Sequence, residues 1–211
     1  MSTNPVYAAS RRRENRTPRG HFLLAYSKGQ GYHRDMRSKT TISKIEQLMA
    51  ILGKEAKTPG TIYLVGGASA VLMGWREMTL DVDLKLEPEP AGVFAGIRDA
   101  KESLDINIEL AAPDDFIPPL PGWRDRSQFI ARVGKVDFRH YDFYSQALAK
   151  IERGHRQDIV DVEAMFTRRL IDAIELRKLF TAIESSLIRY PGIDAEEFHR
   201  KVEQVLVAHK N

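Results

Sequence analysis

Apolar positions recur along this chain with two periods, and the change from one to the other divides it. Ile42, Ile45, Leu48, Met49 and Leu52 fall at helical spacing, Ser43 and Glu46 form a capping-box pair and Gly53 is a stop, which predicts a helix over 42–52. After Thr58-Pro59-Gly60 the run 61–65 is uniformly apolar and rich in β-formers, so it predicts a buried strand. Gly66-Gly67 breaks that strand, and 68–73 reads as a short apolar helix closed by Gly74. Residues 80–86 alternate strictly, with Leu80, Val82, Leu84 and Leu86 on one face and Asp81, Asp83 and Lys85 on the other. An amphipathic helix is expected over 91–102. A third strand over 104–110 then places Asp105, Asn107 and Glu109 on one polar face. A proline-rich loop follows, and 129–133 with 136–141 predicts a hairpin turned at Gly134-Lys135. From Phe143 the period becomes 3.6, predicting helices over 143–153, 157–168, 171–188 and 194–208, the last with Asp194 as N-cap. The layout is α+β: a mixed sheet lobe over 40–142 followed by a helical lobe over 143–211.

Composition narrows the chemistry. The 211 residues include no cysteine, which excludes disulfide scaffolds, thiolate zinc sites, iron–sulfur clusters and cysteine nucleophiles. The six histidines show no metal-ligand spacing. The most apolar stretch, Ile62 to Trp75, is shorter than the roughly 20 residues of a spanning helix and is interrupted by two glycines, so no membrane association and a cytoplasmic location are expected. The net charge of +3 conceals an asymmetry. Residues 1–39 carry nine Lys and Arg against Glu14 and Asp35, so the rest of the chain is acidic on balance. That segment reads as a basic, disordered leader; contact with nucleic acid phosphates is its other reading, and Met36 is a possible start of the natural chain.

The informative unit joins strand 61–65, Gly66-Gly67, a short helix containing Ser69, and the strand carrying Asp81 and Asp83. Two glycines after a buried strand let a ligand approach the main chain, and the helix behind them offers free N–H groups suited to a triphosphate. Two carboxylates on alternate positions of a strand lie about 7 Å apart, close enough to share or pair Mg²⁺ ions. Each fragment alone is commonplace: Asp-x-Asp on an amphipathic strand is usually a solvated face, and Gly-Gly is usually a turn. The dinucleotide fingerprint and the phosphate-loop Gly-Lys-Ser/Thr are both missing from this stretch. Trp75 reads as packing, and Trp123, in the loop with Arg124 and Arg126, is a candidate for lining a cleft.

Leu64-Val-Gly-Gly-Ala-Ser69 followed by Arg76-Glu-Met-Thr-Leu-Asp-Val-Asp-Leu84 resembles the signature of polymerase-β-type nucleotidyltransferases, nearest to the minimal abortive-infection enzymes that act as toxins of toxin–antitoxin pairs. The resemblance spans roughly residues 40–170. It implies that Gly66, Gly67 and Ser69 hold nucleotide phosphates, that Asp81 and Asp83 bind Mg²⁺, and that Arg76 and Thr79 line the nucleotide side. The run from Lys150 through Asp158 to Asp161 is similar to the family's second motif, in which the Lys reaches the triphosphate and the acid belongs to the site wall; Arg153 or Arg156 would add positive charge for the leaving pyrophosphate. The bland reading of that run is a surface helix pair bearing ion pairs. A third acid belongs on the next strand, where the expected register puts Asn107, an amide that can ligate a metal but cannot take a proton. Asp105 and Glu109 are its neighbours, and Asp137 is a fainter alternative.

The resulting expectation is a Mg²⁺-dependent nucleotidyltransferase that moves a nucleoside monophosphate from a nucleoside triphosphate to a hydroxyl on RNA (a tRNA end) or on protein. The rival readings are a catalytically weakened nucleotide- or RNA-binding protein on the same fold, and an antitoxin-like interaction partner whose carboxylate face is merely solvated.

Overall fold

The computed structural model describes residues 38–209. All but the last two residues of the basic segment 1–39, and with them the expectation of a disordered leader, lie outside the described residues.

The described residues open with α1 (Ile42–Glu55) and β1 (Gly60–Val65). Next come α2 (Gly66–Leu72), β2 (Asp81–Leu86), α3 (Val93–Ser103) and β3 (Asn107–Leu110). A 3₁₀ turn at Pro113–Asp115 and the short α4 (Trp123–Arg126) precede the hairpin β4 (Phe129–Val133) and β5 (Val136–His140). The helices α5 (Phe143–Arg153), α6 (Arg156–Thr167), α7 (Ala173–Glu184) and α8 (Ala195–Ala208) complete the fold. The five strands form one mixed sheet in the order β3-β2-β1-β5-β4. β1 runs antiparallel to β2 and parallel to β5, while β2 and β3 are parallel.

One sheet face carries Ile62, Leu64, Val82, Leu84, Ile108 and Phe138 into a core closed by α1 and α3. The other face of β1 carries Tyr63 and Val65 against Trp123 and Tyr141. That double burial explains why 61–65 shows no alternation. The C-terminal helices bury their own core, which also receives Ile117 and Leu120 from the loop after β3.

Several sequence expectations are corrected. The N-cap of α1 is Thr41, with no side-chain cap bond, so the Ser43–Glu46 box does not form, and the helix runs through Gly53 to Glu55. Gly53 serves packing instead, because a Cβ there would come within 2.6 Å of Val133, so its bareness lets α1 settle on the hairpin. Leu80 lies before β2 and is 55% exposed rather than joining the core face. β3 starts at Asn107: Leu104 caps α3, and Asp105 turns the chain at φ +50°, which removes it from the face shared by Asn107 and Glu109. The expected helix 171–188 is α7, which Asp172 caps by accepting the Glu175 N–H at 2.8 Å, followed by a separate turn at Leu187–Arg189. Asp194 caps α8 in the expected manner.

Candidate active site

β1 and β2 are antiparallel neighbours, so the end of β1 lies beside Asp83; Val65 and Asp83 are register partners. The chain then turns at Gly66 with φ +55°, a left-handed conformation suited to glycine. A Cβ at Gly66 would stand 3.2 Å from Oδ2 of Asp83, so the carboxylate lies directly against the bare turn. Gly67 is required for a different contact: its Cβ would fall 2.1 Å from Oγ1 of Thr79. Thr79 is buried and donates to the Asp81 carbonyl at 3.0 Å, which ties the approach to β2 under the Gly-Gly turn.

β3 pairs in parallel with β2 so that Asn107 lies opposite Asp81 and Glu109 opposite Asp83. The register therefore brings Glu109, not Asn107, beside the inner aspartate. Nδ2 of Asn107 donates to Oδ1 of Asp81 at 2.9 Å and to Oε1 of Glu109 at 2.8 Å. Flanked by two carboxylates, the amide must present its N–H groups to them, so it braces the acidic pair instead of adding an oxygen ligand. Asp81 is exposed at the rim. Asp105 accepts the Ser38 N–H, and Asp137 pairs with Arg132 on the hairpin, so neither joins the cluster.

Asp83 and Glu109 open into a cavity of about 220 Å³, bounded by Gly66, the segment after β3, and the inner side of α5 with Gln146, Lys150 and Arg153. Burial, reinforced by the negative charges of Glu109 and Asp81, pushes the Asp83 carboxyl up to about 6, against the opposing pull of Arg153 and Lys150. Gln146 links the two sides: Oε1 accepts the Gly66 N–H at 2.8 Å, and Nε2 donates to the Tyr141 carbonyl at 2.7 Å. Its helix is in turn anchored at Asp142, which accepts the Ser145 N–H and a two-point contact from Arg126.

The cationic wall is a chain of ion pairs built on the buried carboxylates of Asp158 and Asp161. Lys150 Nζ donates to Oδ2 of Asp161 at 2.6 Å and to Oδ1 of Asp158 at 3.2 Å. Asp161 is 0% exposed and also receives both the Arg76 guanidinium, with Nε at 2.8 Å, and Nε1 of Trp75 at 3.2 Å. Arg153 grips Asp158 with Nε at 2.8 Å and Nη2 at 2.6 Å. Burial pushes Asp158 up, but the bonds and charges of Arg153 and Lys150 outweigh it and hold the carboxyl below its ordinary value. Arg76 therefore braces the wall from behind; it does not line the cavity.

Ser69 is sealed in the core. Its hydroxyl donates to the Leu64 carbonyl at 2.8 Å, and Nδ1 of His140 lies 3.0 Å away, so it fastens α2 to β1 and β5 and has no surface on which to meet a phosphate. With the serine hydrogen committed to Leu64, Nδ1 of His140 must carry its proton and donate to Oγ. Trp123 is likewise buried, stacked on Tyr141 at 4.5 Å, and lines no cleft. Neither Gln146 nor a separate role for Asp161 is read from the sequence. A carboxamide on an amphipathic helix carries no motif, whereas Asp161, one turn after Asp158 and within the Lys150 motif, could have been marked.

Among the described residues no three acidic or histidine side chains form a closed metal cage. The donor set nonetheless fits Mg²⁺, a hard cation commonly held by one or two carboxylates and completed by phosphate oxygens and water. The strain on Asp83 from its acidic neighbours is what a divalent cation would relieve. Among the described residues no helix is long and apolar enough to cross a membrane.

No curated protein and no solved structure gives a significant match to the chain. A family model described as a nucleotidyltransferase of unknown function (DUF6036) matches residues 40–206, which takes in the Gly-Gly turn, the acidic strands and the Lys150 wall. The chain belongs to that nucleotidyltransferase family.

Proposed function

We propose that this protein transfers a nucleoside monophosphate from a Mg²⁺-bound nucleoside triphosphate to a hydroxyl of RNA, such as a tRNA end, or of protein. The observation that carries the reading is the placement of Asp83 against the bare Gly66 turn, in one cavity with Glu109, Lys150 and Arg153. Asp81 and Asp83, with Glu109 beside them, would hold the metal, which when bound neutralises the triphosphate and polarises the α-phosphate. The Gly66-Gly67 turn lets phosphate oxygens approach the main chain. Asn107 keeps Asp81 and Glu109 in register. Glu109 is the group placed to take the acceptor's proton as its oxygen bonds to the α-phosphorus and the bond to the β-phosphate oxygen breaks. Lys150 and Arg153 stabilise the charge that collects on the departing pyrophosphate. Asp158 and Asp161 hold those cations in place; Asp158 positions them and takes no part in the bond changes.

The test is incubation with each α-³²P-labelled triphosphate, Mg²⁺ and total RNA or cell lysate, followed by electrophoresis. Label should enter one acceptor class with the wild-type chain and not with Asp83→Ala or Asp81→Ala of unchanged fold. Triphosphate binding with no incorporation under any condition would identify a nucleotide-binding protein instead. The resemblance to abortive-infection enzymes extends the proposal to a growth-arresting toxin neutralised by a partner protein. Induced expression should then slow growth, and Asp83→Ala should abolish that effect.

A further inference from the structure

The cavity lining has two chemistries: charged side chains, Asp83, Glu109, Lys150 and Arg153, and apolar ones, Pro113, Phe116 and Ala149. Phe116 lines the cavity and is 56% exposed, while the adjacent Ile117 is buried in the helical core. Among the described residues no aromatic ring or cation stacks on Phe116, whereas Trp75, Trp123 and Tyr141 all have ring partners.

The backbone that carries the ring is held by several bonds. The Phe116 N–H donates to the Pro113 carbonyl at 3.0 Å and the Ile117 N–H to the same carbonyl at 2.9 Å. The Asp115 carboxylate accepts the Ala112 N–H at 2.8 Å, and Lys85 on β2 reaches Asp114 at 2.7 Å. The segment is thus tied to the sheet on one side and to the helical core through Ile117 on the other.

We propose that Phe116 is the stacking platform for the nucleobase of the bound triphosphate. This inference rests on reading the cavity as a nucleotide site. A ligand with a polyanionic part and a flat aromatic part matches both kinds of lining in one cavity, and every base has a π-face to lay on a free phenyl ring. Stacking is tolerant of base identity, so the contact accepts all four nucleotides and favours purines through their larger face.

The test measures binding of ATP, GTP, CTP and UTP, and separately of inorganic tripolyphosphate, by isothermal titration calorimetry in Mg²⁺ to wild type, Phe116→Ala and Phe116→Trp. Loss of one base–aromatic stack predicts about 5- to 150-fold weaker nucleotide binding by Phe116→Ala, with tripolyphosphate binding unchanged. Phe116→Trp should bind nucleotides at least as tightly as wild type. Equal nucleotide affinity in wild type and Phe116→Ala overturns the inference while leaving the nucleotide site standing. Parallel loss of tripolyphosphate affinity also overturns it, since the effect would then not be stacking. A wild-type chain that binds no nucleoside triphosphate overturns the inference together with the proposed function.

Discussion

The Gly66 N–H donates a 2.8 Å hydrogen bond to Oε1 of Gln146, a residue 80 positions further along the chain. That contact joins the sheet lobe to α5 at the point where the two walls of the cavity meet. The same carboxamide donates to the Tyr141 carbonyl, so one neutral side chain holds the turn and the start of the helical lobe together. Replacing it by Ala leaves a buried donor and a buried acceptor without partners. Gln146→Ala should lose about 2–6 kcal/mol in urea denaturation, at roughly 1–3 kcal/mol per unsatisfied group. Gln146→Glu keeps an acceptor for Gly66 but places another negative charge near Asp83, and calorimetry with Mg²⁺ and a triphosphate should show weaker binding than with wild type.

Gly66 has little tolerance for a side chain. Ala at φ +55° is strained by about 1–2 kcal/mol. Its Cβ would press on Oδ2 of Asp83. Gly66→Ala should lower stability by that amount and cut label incorporation by up to about 100-fold, the scale of misplacement by an ångström. A variant with full incorporation would show that the turn and Asp83 are not one working unit.

Asp161 balances two cations, Arg76 and Lys150, in a fully buried position. Asp161→Ala strands Arg76 and leaves Lys150 with Asp158 alone, and the expected loss is about 3–5 kcal/mol by thermal or urea unfolding. A loss below about 1 kcal/mol would mean that Arg76 and Lys150 find other partners or water.

Two buried groups give metal-free stability opposing pH slopes. Asp83, raised from 3.8 to about 6 by burial and its acidic neighbours, favours the fold most below pH 3.8, and that contribution is lost as pH rises through 6. His140, lowered from 6.5 to about 4 by burial, favours the fold fully above pH 6.5, and its contribution is lost as pH falls through 4. Each displacement corresponds to roughly 3 kcal/mol at most, so the two nearly cancel between pH 4 and 6. Asp83→Asn should uncover the histidine: its stability, measured by urea denaturation in chelator-treated buffer, should rise with pH across that window more steeply than the wild type's. Equal slopes would refute the assignment of the Asp83 shift.

How much of this was legible along the chain can be judged residue by residue. The strict alternation of 80–86 put Asp81 and Asp83 on the polar side of a half-buried strand, because a two-residue period survives whatever the strand pairs with. The 3.6 period after Phe143 likewise located α5 and α6, and with them the spacing of Lys150 and Asp158. Alternation misled at residue 104, where Leu104 and Asp105 continue the pattern but belong to the end of α3 and a left-handed turn. Ser69 followed the glycines at the position the resemblance gave to phosphate contact, yet the core took its hydroxyl.

The sequence by itself determined the order of elements, the polar faces of the strands and the Gly-Gly turn, because these depend on local periodicity and on the backbone freedom of single residues. Only the tertiary structure decided which acid stands beside Asp83, since strand register is a choice between chains of contacts and moves Glu109 and Asn107 together. It also decided that Gln146 closes the Gly66 turn and that Asp161 neutralises Arg76 and Lys150 at once. Those partners are far apart in the chain and are selected by the cost of leaving a buried polar group or charge alone, a quantity that has no period and therefore leaves no pattern to read.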